Sequence, residues 1–380
     1  MPLAWRNLVS NKRRLVRSSA GIGFAVLLML VQLGFERAFF DASLAVIRQL
    51  DGDLFVLSAT KYRFSAKDPF SRRTLYDAAG VRGVASARPL YGEWQGFLWK
   101  NPREDKIYLV QAFAFDPDQP VFRMPQVNAK REALKEADTV LVDRSARPFL
   151  GMASGALQTE LARTEVRIVG TFSLGPDFAS DGTVIMSDRT FARLAAGAGA
   201  GSEPPDPEVG IIMLSPGENI GAMQQALRAA LPPSVVVMTR PELIAFESRF
   251  QAEVSSAGPI FAMGTVVGFI VGMLISYQII YTDLSEQLPQ YATLKGMGYD
   301  TAYLVQIVLA QAALSALAGY VPAWLLCLAV YWAIGTLALI PLHMTVGLTL
   351  LSLGLTLGMC LISAVLALRR VIAADPAEIF

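Results

Sequence analysis

The amino-acid sequence predicts an α+β membrane protein with four transmembrane helices and a large mixed α/β extracytoplasmic domain inserted between helices 1 and 2. The 380 residues are 53% hydrophobic and 17% charged, with a mean hydropathy of +0.42, which is too apolar for a soluble enzyme. Long uncharged runs flank residues 36–257, which hold 25 Lys or Arg and 27 Asp or Glu, as soluble domains do. The formal net charge of +1 argues against nucleic acid as a partner.

The N-terminal segment, residues 1–17, is basic, and we expect it to be an amphipathic segment in contact with membrane lipid. It carries five positive charges and no acid: Arg6, Lys12, Arg13, Arg14 and Arg17. The positive-inside rule places such a segment in the cytoplasm. A cleaved signal peptide is the alternative, but the apolar run that follows is longer than the core of a signal peptide, and no small-residue cleavage site comes after it.

Three uncharged runs predict four membrane spans, because one span needs about 20 apolar residues. Residues 18–35 and 254–282 supply one span each. Residues 301–368 form a run of 68 residues that must fold back, and Pro341 lies near the middle of the turn. Four crossings return the C-terminus to the cytoplasm, where the positive-inside rule accounts for the arginine pair at 369–370.

These runs set the predicted domain boundaries along the chain. The segments are transmembrane helix 1 with a stalk extension (18–50), the extracytoplasmic domain (51–241), a stalk with helix 2 (242–282), a cytoplasmic coupling loop (283–302), helix 3 (303–336), a periplasmic turn (337–346), helix 4 (347–368) and a cytoplasmic tail (369–380). Stalks are predicted because apolar residues keep helical spacing beyond the spans, as at Phe40, Leu44 and Ile47. Packing of these residues against the outer domain is the alternative.

The extracytoplasmic domain shows short apolar runs between helical patterns, which indicates an α+β fold. Strands are predicted at 53–58, 106–115, 166–172, 183–186, 210–214 and 234–238. Helices are predicted at 71–79, 126–137, 188–196 and 219–231. The Gly, Ala and Pro stretch at 195–207 has no periodicity and predicts an exposed loop.

Motifs for catalysis, metal binding or cofactor binding are missing from the sequence. No Gly-Lys dipeptide occurs, so the chain has no P-loop for ATP and Mg²⁺. The one histidine, His343, lies in the predicted membrane turn, and both cysteines lie in apolar runs. Asp177 and Asp181 come nearest to a carboxylate pair, but their Gly-rich surroundings favour a structural role. We predict no catalytic residue, no metal site and no cofactor bound by this chain.

Two segments are predicted to make specific contacts. Gly264, Gly268 and Gly272 are spaced four apart in helix 2 and form a face that another helix can approach closely. The spacing does not distinguish the first span, another span or a second copy of the chain as the partner. In the coupling loop, Pro289 begins and Gly296 ends a predicted short helix, whose apolar face would contact either a cytoplasmic partner or lipid headgroups.

Several motifs resemble those of one family of transport proteins. The most specific are YQIIYTD at 277–283 and YATLKGMGY at 291–299. Further matches are PLAWRNL at 2–8, QLGF at 32–35, DGDL at 51–54 and DPAE at 375–378. With these motifs the chain resembles the permease subunits of DevC-type (heterocyst-type) ABC exporters, within the MacB/FtsX superfamily.

The resemblance implies an inner-membrane permease that pairs as a homodimer with a separate ABC ATPase subunit, which binds the ATP and Mg²⁺. It implies that the coupling loop docks into this ATPase through five residues: Tyr291, Leu294, Lys295, Met297 and Tyr299. It also implies a MacB-like periplasmic domain that meets a periplasmic adaptor (membrane fusion) protein and, through it, an outer-membrane channel. Motion carried along the stalks, called mechanotransmission, would then export an amphipathic or lipid-like cargo.

Two other functions fit parts of this pattern. An FtsX-like regulator would pass ATPase motion to a periplasmic cell-wall hydrolase and export nothing, so it would have no adaptor. A membrane-anchored sensor would bind a ligand outside the cell and signal through the loop, so it would have no ATPase partner.

Overall fold

The computed structural model describes residues 12–152, 155–175, 178, 180–196, 204–297, 301–337 and 342–373. The chain divides into two compact units. Phe39–Ser255 forms the first, here called the α/β unit, and Met1–Ala38 with Ser256–Phe380 forms the second, here called the membrane unit. Most of the predicted basic segment 1–17 and the end of the predicted tail 369–380 lie outside the described residues.

The secondary-structure elements follow one another in a mixed order along the chain. The helices are α1 (Lys12–Ser43), α2 (Ala45–Gln49), α3 (Arg73–Ala79), α4 (Pro125–Ala129), α5 (Arg131–Leu134), α6 (Asp188–Ala196), α7 (Ile220–Ala230), α8 (Arg240–Arg249), α9 (Ala257–Gly296), α10 (Thr301–Leu337) and α11 (Val346–Ala373). The strands are β1 (Leu54–Ser58), β2 (Val84–Lys100), β3 (Ile107–Phe115), β4 (Thr139–Asp143), β5 (Gln158–Leu161), β6 (Thr164–Phe172), β7 (Thr183–Ser187), β8 (Val209–Leu214) and β9 (Val235–Thr239).

Four helices, α1, α9, α10 and α11, are long and apolar enough to cross a bilayer. Their candidate spans are Leu15–Ser43, Ala257–Gln287, Val305–Leu337 and Val346–Arg369. Each contains one of the apolar stretches from which the spans are predicted. The chain is therefore a multi-pass membrane protein. Residues 338–341 of the predicted turn between the last two spans lie outside the described residues.

Helix α9 differs from the sequence prediction. The sequence predicts a separate short helix that begins at Pro289, whereas the structure has one continuous helix from Ala257 to Gly296. Proline weakens a helix by removing one backbone donor, but its neighbours here have good helix propensity. No glycine lies between Gly272 and Gly296, so the first residue that favours a helix end is Gly296.

The stalks also differ from the prediction of two unbroken helices. On the first connection α1 ends at Ser43, Leu44 forms a turn and α2 follows at once. On the second, α8 passes into a π turn that ends at Ser255, whose backbone is extended (φ −66°, ψ 139°), before α9 begins. Pro259 lies in the first turn of α9, where a missing N–H costs little, so this sequence suits a helix start.

The long strand β2 belongs to both halves of the α/β unit. Its N-terminal half pairs with β8, and the sheet continues to β1 and β9 with antiparallel pairings throughout. Its C-terminal half pairs with β3 and begins a ring in the order β2-β3-β7-β4-β6-β5. The pairing of Trp99 with Leu161 returns the ring to β2. A register shift between Glu93 and Phe97 forms a bulge in β2.

Each half of the α/β unit has its own apolar core. The ring surrounds fully buried Trp99, whose Nε1 donates to the Leu150 carbonyl at 2.8 Å, so its N–H is satisfied. The sheet packs on α3 and α7 through Leu75 and Leu227. A further cluster, which includes Phe113, combines residues of both halves with residues of α2.

All six predicted strands and all four predicted helical regions are present, with small shifts at their ends. The helix predicted at 126–137 is two shorter helices, α4 and α5. Strands β2, β4 and β5 are additional to the prediction. Most of the loop predicted at 195–207 lies outside the described residues.

Candidate functional site

The residues predicted to dock into an ATPase lie at the C-terminal end of α9. Tyr291, Leu294 and Lys295 lie in its last two turns, and Met297 follows directly with 64% of its surface exposed. Tyr299 lies outside the described residues. At 1.5 Å per residue, the 40 residues of α9 form a rod of roughly 60 Å. The predicted docking residues are therefore on the same rod as the membrane span.

The C-terminal part of α9 is packed against the two following helices. Ile280 and Leu284 of α9 share an apolar cluster with Val308 of α10 and Ala364 of α11. Polar side chains are buried beside this cluster: Gln287, Gln311 and Ser315. A push on the end of α9 would therefore also reach α10 and α11.

The predicted glycine face of α9 lies against α1. A Cβ atom at Gly268 would lie 3.3 Å from Met29 Cγ, and one at Gly272 would lie 3.1 Å from the Ala25 Cβ. A Cβ atom at Gly264 would collide with Gln32. The structure thus places these three glycines, whose partner the sequence leaves open, against the first span of the same chain. Gly272 also lies against α11, where its Cβ atom would be 2.7 Å from Met359 Sδ.

Gln32 makes a polar contact between the same two helices. Its Nε2 donates to the carbonyl of Phe261 at 3.2 Å. Side-chain hydrogen bonds of this kind help to hold membrane helices together, since lipid offers no alternative partner. The sequence marks Gln32 only as a polar residue at membrane depth, and the missing side chain of Gly264 leaves room for it.

A second glycine contact, between α1 and α10, is not singled out by the sequence. A Cβ atom at Gly319 would lie 2.7 Å from Ile22 Cγ2 and 3.2 Å from the backbone nitrogen of Gly23. Further along, Tyr331 donates its hydroxyl proton to the Leu30 carbonyl. The contact needs one glycine from each of two helices far apart in sequence, so no spacing pattern reveals it.

Arg240 ties together the two connections that lead into the α/β unit. Its guanidinium donates to three carbonyls in and just after the last turn of α2: Ile47 at 3.1 Å, Leu50 at 2.7 Å and Gly52 at 2.9 Å. It also lies over the Phe55 ring, 5.2 Å from the centroid. One side chain at the start of α8 therefore holds the end of the segment that follows the first span.

Local sequence fixes Arg240 in this position. Thr239 and Glu242 form a capping box at the start of α8, in which the Glu242 carboxylate accepts from the Thr239 N–H at 2.7 Å. Burial lowers the pKa of the Arg240 guanidinium and Arg123 lowers it further, whereas Asp51 and Asp53 raise it. Arginine remains charged at neutral pH, and a cation is favourable next to the free carbonyls at a helix end.

Two cavities in the described part of the α/β unit are open, and most of the residues that line them are polar or charged. A cavity of about 530 Å³ lies between the β2–β3 turn and β5, and Lys100 in its wall pairs with Asp105 at 2.7 Å. Another of about 390 Å³ is lined partly by Phe70 and Thr74. Asp181 pairs with Arg147, while Asp177 lies outside the described residues. Within the ranges that the structure describes, no group of three or more His, Cys, Asp or Glu is placed to hold a metal.

Comparison with known proteins gives a family match for the membrane part. Residues 260–376 match the FtsX-like permease C-terminal family. The periplasmic region of MacB from Actinobacillus actinomycetemcomitans aligns with 51% of this chain and 91% of its own length, at 11% identity and a TM-score of 0.36. The extracellular domain of the noncanonic ABC-type transporter YknZ from Gram-positive bacteria aligns with 50% and 99%, at 12% identity and a TM-score of 0.33. No curated protein matches the chain.

The family match and the membrane geometry concern the same part of the molecule. It includes nearly all of α9, from the glycine face to the predicted docking residues, and it includes α10 and α11. Residues 260–376 are therefore similar to the FtsX-like permease C-terminal family, in keeping with the MacB/FtsX superfamily that the sequence motifs resemble.

Proposed function

We propose that this chain is the permease subunit of a tripartite ABC exporter in the bacterial inner membrane. The observation that carries the proposal is the FtsX-like match over residues 260–376, which includes the end of α9 that the sequence motifs assign to ATPase docking. A separate ATPase subunit binds the ATP and Mg²⁺, and this chain contributes no catalytic residue. Two copies of the chain form the membrane part.

In this proposal α9 is the lever that receives the ATPase movement. Residues 283–299 dock into the ATPase, with Leu294 and Met297 among the contacts. A continuous helix cannot absorb a displacement at its end without bending, so the displacement reaches Ala257 at the other end. Only 11% of the apolar window of this span is buried within the chain, so much of its surface faces away from the other helices of the chain.

The α/β unit acts on the opposite side of the membrane. We place it in the periplasm, where it meets an adaptor protein that continues to an outer-membrane channel. The walls of its two cavities carry many polar and charged residues, which does not suit a lipid tail. A cargo of amphipathic or lipid-like character is therefore moved by mechanotransmission rather than through a pocket of this unit.

An FtsX-like regulator of a periplasmic cell-wall hydrolase is the second candidate. The family match supports it as well as it supports an exporter, because both would use the same membrane part. The two functions differ in their periplasmic partner, which is an adaptor in one and a hydrolase in the other.

Co-purification from native membranes tests the proposal. The tagged chain should recover an ATPase and an adaptor, and Leu294→Glu should lose the ATPase but keep the adaptor. The control is Leu157→Glu, a leucine of the α/β unit that is 73% exposed, and it should retain both partners. An ATPase that stays bound to Leu294→Glu contradicts the docking site. A hydrolase in place of the adaptor supports the regulator, and no ATPase with the wild type contradicts both functions.

A further inference from the structure

Residues 59–72, which join β1 to α3, contain no helix or strand and are here called the strap. The strap is fastened next to β8 at two positions, one on each side of its middle. Lys61 Nζ lies 2.6 Å from the Glu208 carboxylate, and the Asp68 N–H donates to the same oxygen at 3.1 Å. Both side chains of the ion pair are almost completely buried. Burial lowers the pKa of Lys61, and the hydrogen bond that Lys61 donates to Glu208 opposes this shift.

The middle of the strap is fastened to the helix that leads toward the second span. The backbone N–H of Phe64 donates to Glu247 Oε2 at 2.7 Å, and Gln251 donates to the other oxygen at 2.8 Å. Glu247 lies on α8 and is only 2% exposed. A buried carboxylate is stable only if its oxygens are hydrogen-bonded, so these two donors hold it in one place.

Aromatic contacts strengthen the same attachment. The rings of Tyr62 and Phe250 lie 5.7 Å apart, and the Arg63 guanidinium lies over both. Phe250 begins the π turn that precedes the break at Ser255. Such π turns are rare and occur often at functional sites.

The ring of Phe64 is buried in the core of the unit. It lies 5.1 Å from the Trp94 ring, which in turn lies 4.9 Å from Phe113. Trp94 belongs to the bulge of β2. Phe64 therefore makes a hydrogen bond to α8 through its backbone N–H and packs against the β2 bulge through its ring.

We propose that the strap passes displacements of α8 to β8 and to the bulge of β2, with Glu247 as the positioning residue that joins it to α8. The inference rests on the proposed function. The helical path is broken at Ser255, so movement enters the α/β unit through the contacts just before the break. Those contacts end on two carboxylates, Glu247 and Glu208. Because both are buried, solvent does not compete for their hydrogen bonds.

Hydrogen exchange of the full complex, purified through a tag on this chain with its co-purifying ATPase, tests the strap. The reporters are peptides that cover the strap, β8 at 209–214 and the β2 bulge at 93–97, measured without nucleotide and with ATP plus orthovanadate. In the wild type all three regions should change exchange rate on nucleotide addition by severalfold. Glu247→Leu should abolish the change at the bulge, while Glu247→Gln should keep it because the amide oxygen still accepts from Phe64.

Each outcome decides the matter. A bulge that still responds in Glu247→Leu overturns the strap while leaving the proposed function in place. A wild type without any nucleotide response overturns the proposed function and the strap with it. If Glu247→Leu does not assemble, the double variant Lys61→Met with Glu208→Met, which removes the other fastening without leaving a lone charge, should lose the response at β8 alone. A retained β8 response in that variant overturns the proposal.

Discussion

The membrane unit and the α/β unit hold their segments together by different means. In the membrane unit, α1 meets α9 and α10 at glycines, where backbones approach closely, as at Gly319 beside Ile22. In the α/β unit, buried and half-buried charged side chains make hydrogen bonds to backbone groups. Glu208 and Glu247 accept from the strap, and Arg240 donates to carbonyls at the end of α2.

The difference follows from the two solvents. Lipid is as apolar as leucine, so apolar burial gives no driving force between membrane helices, and close contact with a few hydrogen bonds must replace it. In water, apolar burial drives folding, and buried ionic contacts fix the positions of segments that lack secondary structure. Membrane spans can therefore be stable with little burial inside the chain: half of the apolar window of α1 is buried, but only 11% of that of α9.

The largest effect is expected from breaking the buried ion pair of the α/β unit. Lys61→Met leaves Glu208 buried without its cation, which should cost about 3–5 kcal/mol of stability. The double variant Lys61→Met with Glu208→Met should be clearly more stable than the single one, because no lone charge remains. Thermal unfolding of the full chain in detergent measures the stability of both variants. Equal destabilisation by the two would show that lost packing, and not the lone charge, causes the loss.

The next largest effect is expected at the glycine contact of the membrane unit. Gly319→Leu forces Ile22 and the backbone of Gly23 to move, at about 1–3 kcal/mol. Gly354→Leu on α11 is the matched control, since a Cβ there meets nothing within 4 Å. The melting temperature should fall with the first variant and stay unchanged with the second. A similar loss from both would mean that glycine serves the helices in some way other than close contact.

A smaller effect is expected at Arg240. Arg240→Ala removes the side-chain donor from three carbonyls, of which the Ile47 carbonyl keeps the Leu50 N–H, and because the site is half-exposed the loss should be about 1–2 kcal/mol. Arg240→Lys keeps the charge but cannot reach three carbonyls, so it should recover only part of the loss. Melting temperatures of the two variants give the comparison. Full recovery by lysine would show that the charge alone matters.

The smallest effect concerns pH. Burial raises the pKa of Asp143 against three backbone N–H donors, from Ser145, Leu174 and Gly175. A raised folded-state pKa means that protonation favours the folded state. The contribution of Asp143 to stability should thus increase as the pH falls through that pKa toward about 4, the unfolded value. The melting temperature of the wild type minus that of Asp143→Asn should therefore increase on acidification. A decrease in this value would contradict the sign.

The sequence predicts those elements whose signal lies within one segment. Each span is a long uncharged run, and the six predicted strands are short apolar runs between turn residues. The sequence does not predict β2 because Pro89, Gly92 and Gly96 interrupt its pattern, and it does not predict β5 (QTEL) because that strand is largely polar. Its pairing with β2 and β6 makes it a strand, which no local pattern shows.

The contacts that hold distant segments together could be predicted only in part. The spacing of Gly264, Gly268 and Gly272 predicts a packing face but not its partners, which in the structure are α1 and, at Gly272, also α11. Arg240 looks like an ordinary surface arginine in a capping sequence, and Glu247 like an ordinary helical glutamate. Their roles depend on residues almost 200 positions away, so only the tertiary structure brings them out.

Photo-crosslinking from the two ends of α9 tests the central claim most directly, namely that this helix joins an ATPase to the other side of the membrane. Met297 and Ile260 are equally exposed, at 64% and 63%, and lie roughly 55 Å apart along the helix. With a photoreactive amino acid at either position in native membranes, position 297 should crosslink to an ATP-hydrolysing subunit and position 260 should not. A crosslink to that subunit from position 260, or none from position 297, would contradict the account.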